Sequence, residues 1–363
     1  MPETLVSKSS SPEKNKGTYD PFLRGPFPVG VQTQSAQDAE RNRTFNVEIW
    51  YPAAERYVGD DFAAATQDKF ALRNGQRLQN AIRDAAARAG TYPLVLYSHA
   101  AVQHRRTATF LTTHLASHGY LVAALDHSES IVPELWRHAN ETPEQKQVRC
   151  DKIIKNRVPD LEFLLDFMLG HWQSEAQIDP AQIAVAGHSA GGWTALAAPD
   201  ADRRIRAIVA HAPGGASNPR PGVLPVKLAF AWGRDVPTML LVAENDVCLP
   251  LRGMREIFSR TPATKRMMIL RRADHMHFMD EVEELHEGFR TASMPPELQE
   301  LQKEMLPVSK LTPAREAHLF ARGLTLAHLD VHLKKSEGAQ KFLRGDIEHE
   351  LRVRGVEAIN YNP

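Results

Sequence analysis

Ile183-Ala184-Val185-Ala186-Gly187-His188-Ser189-Ala190-Gly191-Gly192-Trp193-Thr194-Ala195-Leu196-Ala197 carries the sharpest structural signal in the chain. A short apolar run, strand-like, meets a G-x-S-x-G turn and continues into small apolar residues that read as a helix. Ser189 therefore sits at a strand-to-helix elbow. Such a turn is strained, lifts the hydroxyl above the sheet edge, and needs small residues on either side because side chains there would collide with strand and helix. The competing reading is a Gly-rich turn whose serine caps the following helix. The strand before it, the helix after it, and an acid and a histidine downstream favour a nucleophile.

Outward from the elbow, strands and helices alternate. Residues 44–51 alternate apolar and polar positions and stop at Pro52, as a half-exposed strand does. From 53 to 90 the chain is rich in Ala, Arg, Asp and Gln, and Leu78, Ala81 and Ile82 are spaced for a helical excursion. Residues 93–97 form a continuous apolar run, expected of a strand buried on both faces of a parallel sheet. Phe110, Leu111 and Leu115 mark a helix, and residues 120–125 the next strand. Residues 128–156 are polar and read as a mobile or partly helical insertion. Leu161, Leu164, Leu165 and Met168 then give a long helix. Further strands are expected at 205–210, 238–242 and 266–270, and a closing helix at 314–333. The pattern predicts an α/β fold, one doubly wound, mostly parallel sheet with helices on both faces and cap-type insertions. The expected organisation is a flexible tail over 1–25, one domain over 26–335 with insertions at about 53–90, 128–156 and 280–312, and a C-terminal extension over 336–363.

Composition limits the function classes. Of 363 residues, 42% are hydrophobic, and 44 basic residues balance 44 acidic ones. No bulk field draws nucleic acid or an anionic membrane, and a small neutral or mixed-charge substrate fits better. Cys150 and Cys248 are too far apart for a metal or redox pair motif and read as reduced thiols, with a long-range bridge between them as the alternative. The first twenty residues lack the apolar core of a signal peptide, and no apolar run is long enough to span a bilayer, so cytoplasmic residence is expected.

A serine hydroxyl needs a base within hydrogen-bond reach and a third group to orient that base. Asp246 follows the strand at 238–242 in a turn that would aim a carboxylate at the elbow; Glu244 is the alternative. His275 follows the strand at 266–270 and completes the order serine, acid, histidine, with His277 as a competitor or supporting residue. The amide of Ala190 and that of Ala101, in the loop Ser98-His99-Ala100-Ala101, are the candidate oxyanion donors. His99, Ala100, His188, Trp193, His277 and Phe278 are candidate pocket residues by nearness in sequence, although Trp193 and Phe278 also suit core packing. No metal site and no cofactor is called for.

With these residues placed, the chain resembles the α/β-hydrolase superfamily, and within it proteins similar to platelet-activating-factor acetylhydrolases and dienelactone hydrolases. The resemblance runs from about residue 26 to 335. It is carried by Pro26-Phe27-Pro28-Val29-Gly30-Val31, Val47-Glu48-Ile49-Trp50-Tyr51-Pro52, Tyr97-Ser98-His99-Ala100, Leu125-Asp126-His127, Gly187-His188-Ser189-Ala190-Gly191-Gly192-Trp193, Ala243-Glu244-Asn245-Asp246 and His275-Met276-His277-Phe278. It implies an α/β-hydrolase fold and a serine esterase acting on a small-molecule ester, with His275 as the base. Ala100 departs from the family, where a glycine usually follows the histidine. Lactone, amide or peptide cleavage by the same residues, and a non-catalytic binding protein on this scaffold, are the rival readings.

Overall fold

The computed structural model describes residues 19–72, 75–131 and 141–362. Its strands are β1 (Val29–Asp38), β2 (Arg43–Pro52), β3 (Gln67–Leu72), β4 (Gly75–Arg83), β5 (Gly90–Ser98), β6 (Leu121–Leu125), β7 (Ala176–His188), β8 (Ile205–His211), β9 (Thr238–Ala243), β10 (Lys265–Leu270) and β11 (Ala358–Tyr361). The helices are α1 (Thr109–Ser117), α2 (Pro143–His171), α3 (Ala190–Ala201), α4 (Leu251–Arg260), α5 (Val282–Thr291), α6 (Pro296–Glu304), α7 (Ala314–His332), α8 (Glu337–Arg344) and α9 (Ile347–Arg352). Among the described residues the strands form one sheet in the order β11-β10-β9-β8-β7-β5-β6-β2-β1-β4-β3. From β6 to β10 the neighbours run parallel.

The central strands are apolar throughout because both faces are covered. Leu94, Leu96, Ile183 and Val185 meet Leu161, Leu164, Leu165 and Met168 of α2. The alternate residues Val95, Tyr97, Ala184 and Ala186 lie in the opposite layer with Leu111 and Leu115 of α1 and Phe320 and Leu324 of α7. The doubly wound sheet expected from the strand-helix alternation is the sheet found.

Three segments differ from expectation. The stretch expected as a helical excursion holds the antiparallel hairpin β3–β4, with Lys69 opposite Leu78. Its period is two: Gln79 and Ala81 point inward, whereas Leu78 is 52% exposed. Polar partners hide this pattern, since Gln79 accepts a hydrogen bond from Trp50 Nε1 at 2.7 Å and donates to Asp68 at 2.6 Å. The C-terminal residues are built into the fold instead of extending from it. Ile347, Leu351 and Val356 are buried, and β11 pairs antiparallel with β10. At the other end, the last residues expected in the tail are packed, with Phe22 buried and the Tyr19 hydroxyl donating to Asp330 at 2.9 Å; residues 1–18 lie outside the described residues.

The insertion expected over 128–156 ends inside α2, which begins at Pro143 behind a reciprocal cap between Thr142 and Gln145; residues 132–140 of it are not among those described. The insertion expected over 280–312 contains α5 and α6. Leu301 and Met305 from it pack on Val247, so it covers the loop that carries Asp246. Among the described residues no helix is long and apolar enough to cross a membrane.

Candidate active site

Ser189 has φ 58° and ψ −117°, a conformation L residues avoid, so the surroundings must impose it. Its N–H donates to the His211 carbonyl of β8 at 2.9 Å, and its carbonyl accepts from Trp193 and Gly214 at 2.9 and 3.1 Å. A Cβ at Gly187 would come within 2.4 Å of the Gly191 carbonyl oxygen, and one at Gly191 within 1.9 Å of the Ser98 carbonyl oxygen. Both glycines are therefore required by close backbone approach. The loop after β5 lies directly against the start of α3. Ala190 is the first residue of that helix, where amides have no intrahelical acceptor.

Two other strand ends bring polar side chains to the same place. His275 Nε2 is 3.0 Å from Ser189 Oγ, and His275 Nδ1 is 2.7 Å from Asp246 Oδ2. An ionised carboxylate only accepts, so Nδ1 carries the proton and Nε2 is free to accept from the serine hydroxyl. The other Asp246 oxygen takes the Leu249 amide at 2.7 Å. Burial pushes the His275 pKa down, but the charge and hydrogen bond of Asp246 and the nearby charge of Asp274 outweigh it, and the net displacement is upward. Glu244, the alternative acid, is turned to Arg271 Nε and the Arg272 amide, each at 2.9 Å.

The residues expected around a pocket have other partners. His277 accepts from the Asp274 amide and faces the Thr312 carbonyl with Nε2, both at 3.0 Å, so it ties the histidine loop to residue 312. Burial holds its pKa at about 4. His99 accepts the His127 amide on Nε2 at 3.0 Å and donates from Nδ1 to the Ala100 carbonyl at 2.7 Å. Trp193 Nε1 donates to the Lys227 carbonyl at 2.7 Å. Phe278 stacks on His211, while the buried ring of His188 packs on His275 with centroids 4.6 Å apart. His99, Ala100, His188, Trp193, His277 and Phe278 are all buried. A cavity of about 290 Å³ opens among residues following β8 and β9, lined by Ala216, Arg220, Cys248, Leu249, Arg252 and Met254.

Two sets of residues escaped the sequence reading. Asp274 Oδ1 accepts the amides of His275 at 2.6 Å and Val247 at 3.2 Å, which joins the loop of the histidine to the loop of the acid. Its adjacency to His275 was the only signal. Arg157 and Asp160, both buried, lie on the stripe of α2 that also carries Leu161 and Leu164. Charges on the apolar face of a helix are readable in sequence, although their partners are not.

The chlorophyllase family model matches residues 80–210. The solved ferulic acid esterase from Streptomyces cinnamoneus superposes over 93% of this chain and 97% of its own, with a TM-score of 0.64 and 24% identity. The chain has the α/β-hydrolase fold. Curated relatives of this chain include the platelet-activating factor acetylhydrolase of Bos taurus, 26% identical over 240 residues, which are 54% of this chain and 50% of the bovine protein. The Gallus gallus protein of the same name is 24% identical over 298 residues, 64% of this chain and 71% of that one. The chain thus spans about half the length of the bovine relative.

Proposed function

We propose that this protein is a serine hydrolase cleaving carboxylic esters through an acyl-enzyme. The observation that carries the reading is the unbroken hydrogen-bonded line from Ser189 Oγ through His275 to Asp246. Ser189 attacks the ester carbonyl while His275 Nε2 takes its proton. Asp246 holds the ring in the required tautomer and stabilises the imidazolium. The oxygen of the tetrahedral intermediate is met by the amides of Ala190 and Ala101. His275 returns the proton to the leaving alcohol, and water, activated by the same ring, releases the acid. Matched proteins named for acetyl and ferulic esters support a carboxylic ester as the substrate class.

Replacing Ser189 by Ala should lower turnover of a chromogenic ester by roughly a millionfold, with the thermal unfolding midpoint almost unchanged. Undiminished hydrolysis by that variant defeats the assignment. A panel of esters, lactones and amides separates the rival substrates. A fluorophosphonate probe that leaves folded protein unlabelled supports a non-catalytic scaffold.

A further inference from the structure

Beneath the loop that carries Ala101 lies a second serine-histidine-aspartate line. Ser98 Oγ is 2.9 Å from His127 Nε2, and His127 Nδ1 is 3.1 Å from Asp160 Oδ2. Asp160 takes Arg41 at 2.8 Å and Arg43 at 3.0 Å, and Arg43 also grips Glu129. Ser98 is fully buried and its carbonyl faces Gly191, so no substrate reaches its hydroxyl. This line is a support and has no access for catalysis.

Arg157 crosses the cluster and is only 1% exposed. One guanidinium nitrogen donates to the His99 carbonyl at 2.6 Å and lies 3.4 Å from Ser98 Oγ; the other donates to Ser130 Oγ at 2.8 Å. Ser130 in turn accepts the Val102 amide on its carbonyl at 2.7 Å. Residues 98–102 are thus held from both ends. In a trans peptide the C=O and N–H point opposite ways. Pinning the His99 carbonyl sets the plane of the 99–100 peptide, and the His99 ring then pins the Ala100 carbonyl. The direction of the Ala101 N–H follows from that second peptide.

We propose that Arg157, oriented by the Ser98–His127–Asp160 line, is a positioning residue that aims the Ala101 amide at the oxyanion. The inference rests on the hydrolytic reading given above. A buried guanidinium with two fixed acceptors suits this task because its planar fork presents donors on separate nitrogens in fixed directions, whereas the donors of an ammonium share one atom and rotate.

The test uses the full chain and the variants Arg157→Lys, Arg157→Met and Ser130→Ala. Active sites are counted by fluorophosphonate labelling carried to completion, and turnover of a short-chain p-nitrophenyl ester is expressed per labelled serine. Both Arg157 variants should lose about tenfold to a hundredfold in kcat per site, because small misplacement of a catalytic donor costs that much. KM should stay within about twofold and the acid limb of the pH profile should not move, as expected when an interaction made only in the transition state is lost. Ser130→Ala, which removes one acceptor alone, should show a smaller loss of the same kind. A merely structural role predicts fewer labelled sites with wild-type kcat at each, and that result overturns the proposal, as does a raised KM at full kcat or a displaced acid limb. If neither Arg157 variant folds, Ser130→Ala decides by its kcat per site. A wild-type chain that takes neither ester nor probe removes the hydrolytic reading and this inference together; an active wild type with unaltered variants removes this inference alone.

Discussion

His275 and His277 stand two residues apart, and their hydrogen bonds give them opposite work. His277 spends both nitrogens on backbone groups, whereas His275 joins a carboxylate to a hydroxyl. The upward displacement of the His275 pKa has a testable sign. In the proposed mechanism His275 must start as the neutral ring, so kcat/KM should fall as pH drops through a pKa above the ordinary histidine value of about 6.5. Asp274 contributes to that displacement, and its own carboxyl is raised by burial and by Asp246. Asp274→Asn keeps an oxygen for the two amides but removes the charge. The imidazolium then loses a stabilising neighbour, so the acid limb should move to lower pH. A limb unmoved in a kcat/KM profile would show that the Asp274 charge is not felt at His275.

At the scale of elements, the turn from β7 into α3 is governed by backbone crowding. Gly191→Ala places a methyl against the Ser98 carbonyl at the end of β5, where nothing flexible can give way. Overpacking there should destabilise by about 3 kcal/mol or more, read from urea unfolding. Gly170 near the end of α2 offers the contrast, because a Cβ there meets nothing within 4 Å. Gly170→Ala should raise stability by about 0.5–1 kcal/mol. The β3–β4 hairpin shows where element-level reading fails. Its inward side chains include Asp68 and Gln79, which pair with each other, with Trp50 of β2 and with Arg83 of β4, so hydrophobic periodicity understates its alternation.

Over the whole molecule, the chain closes its sheet with residues far from the central motif. β11 covers the edge of β10, and α8 and α9 bring Leu343, Ile347 and Leu351 into the layer that contains α7. Deleting residues 345–363 should therefore expose an unpaired strand edge and an apolar surface. Lower thermal stability and aggregation on size-exclusion chromatography are expected. A truncated chain that stays monodisperse and melts with the full one would contradict this account.

The alternation of apolar runs with amphipathic stretches determined the doubly wound sheet, and the G-x-S-x-G turn with an acid and a histidine after later strands determined which side chains to examine. Both are local patterns, set by periodicity and by what a tight turn sterically allows. The choice of His275 over His277 was already readable from the order serine, acid, histidine, whereas the backbone partners of His277, the completion of the sheet by the C-terminal residues and the reach of Arg157 under the loop of Ala101 came from the packed fold. Those outcomes depend on which distant buried groups must satisfy one another's hydrogen bonds, and sequence spacing carries no record of that pairing.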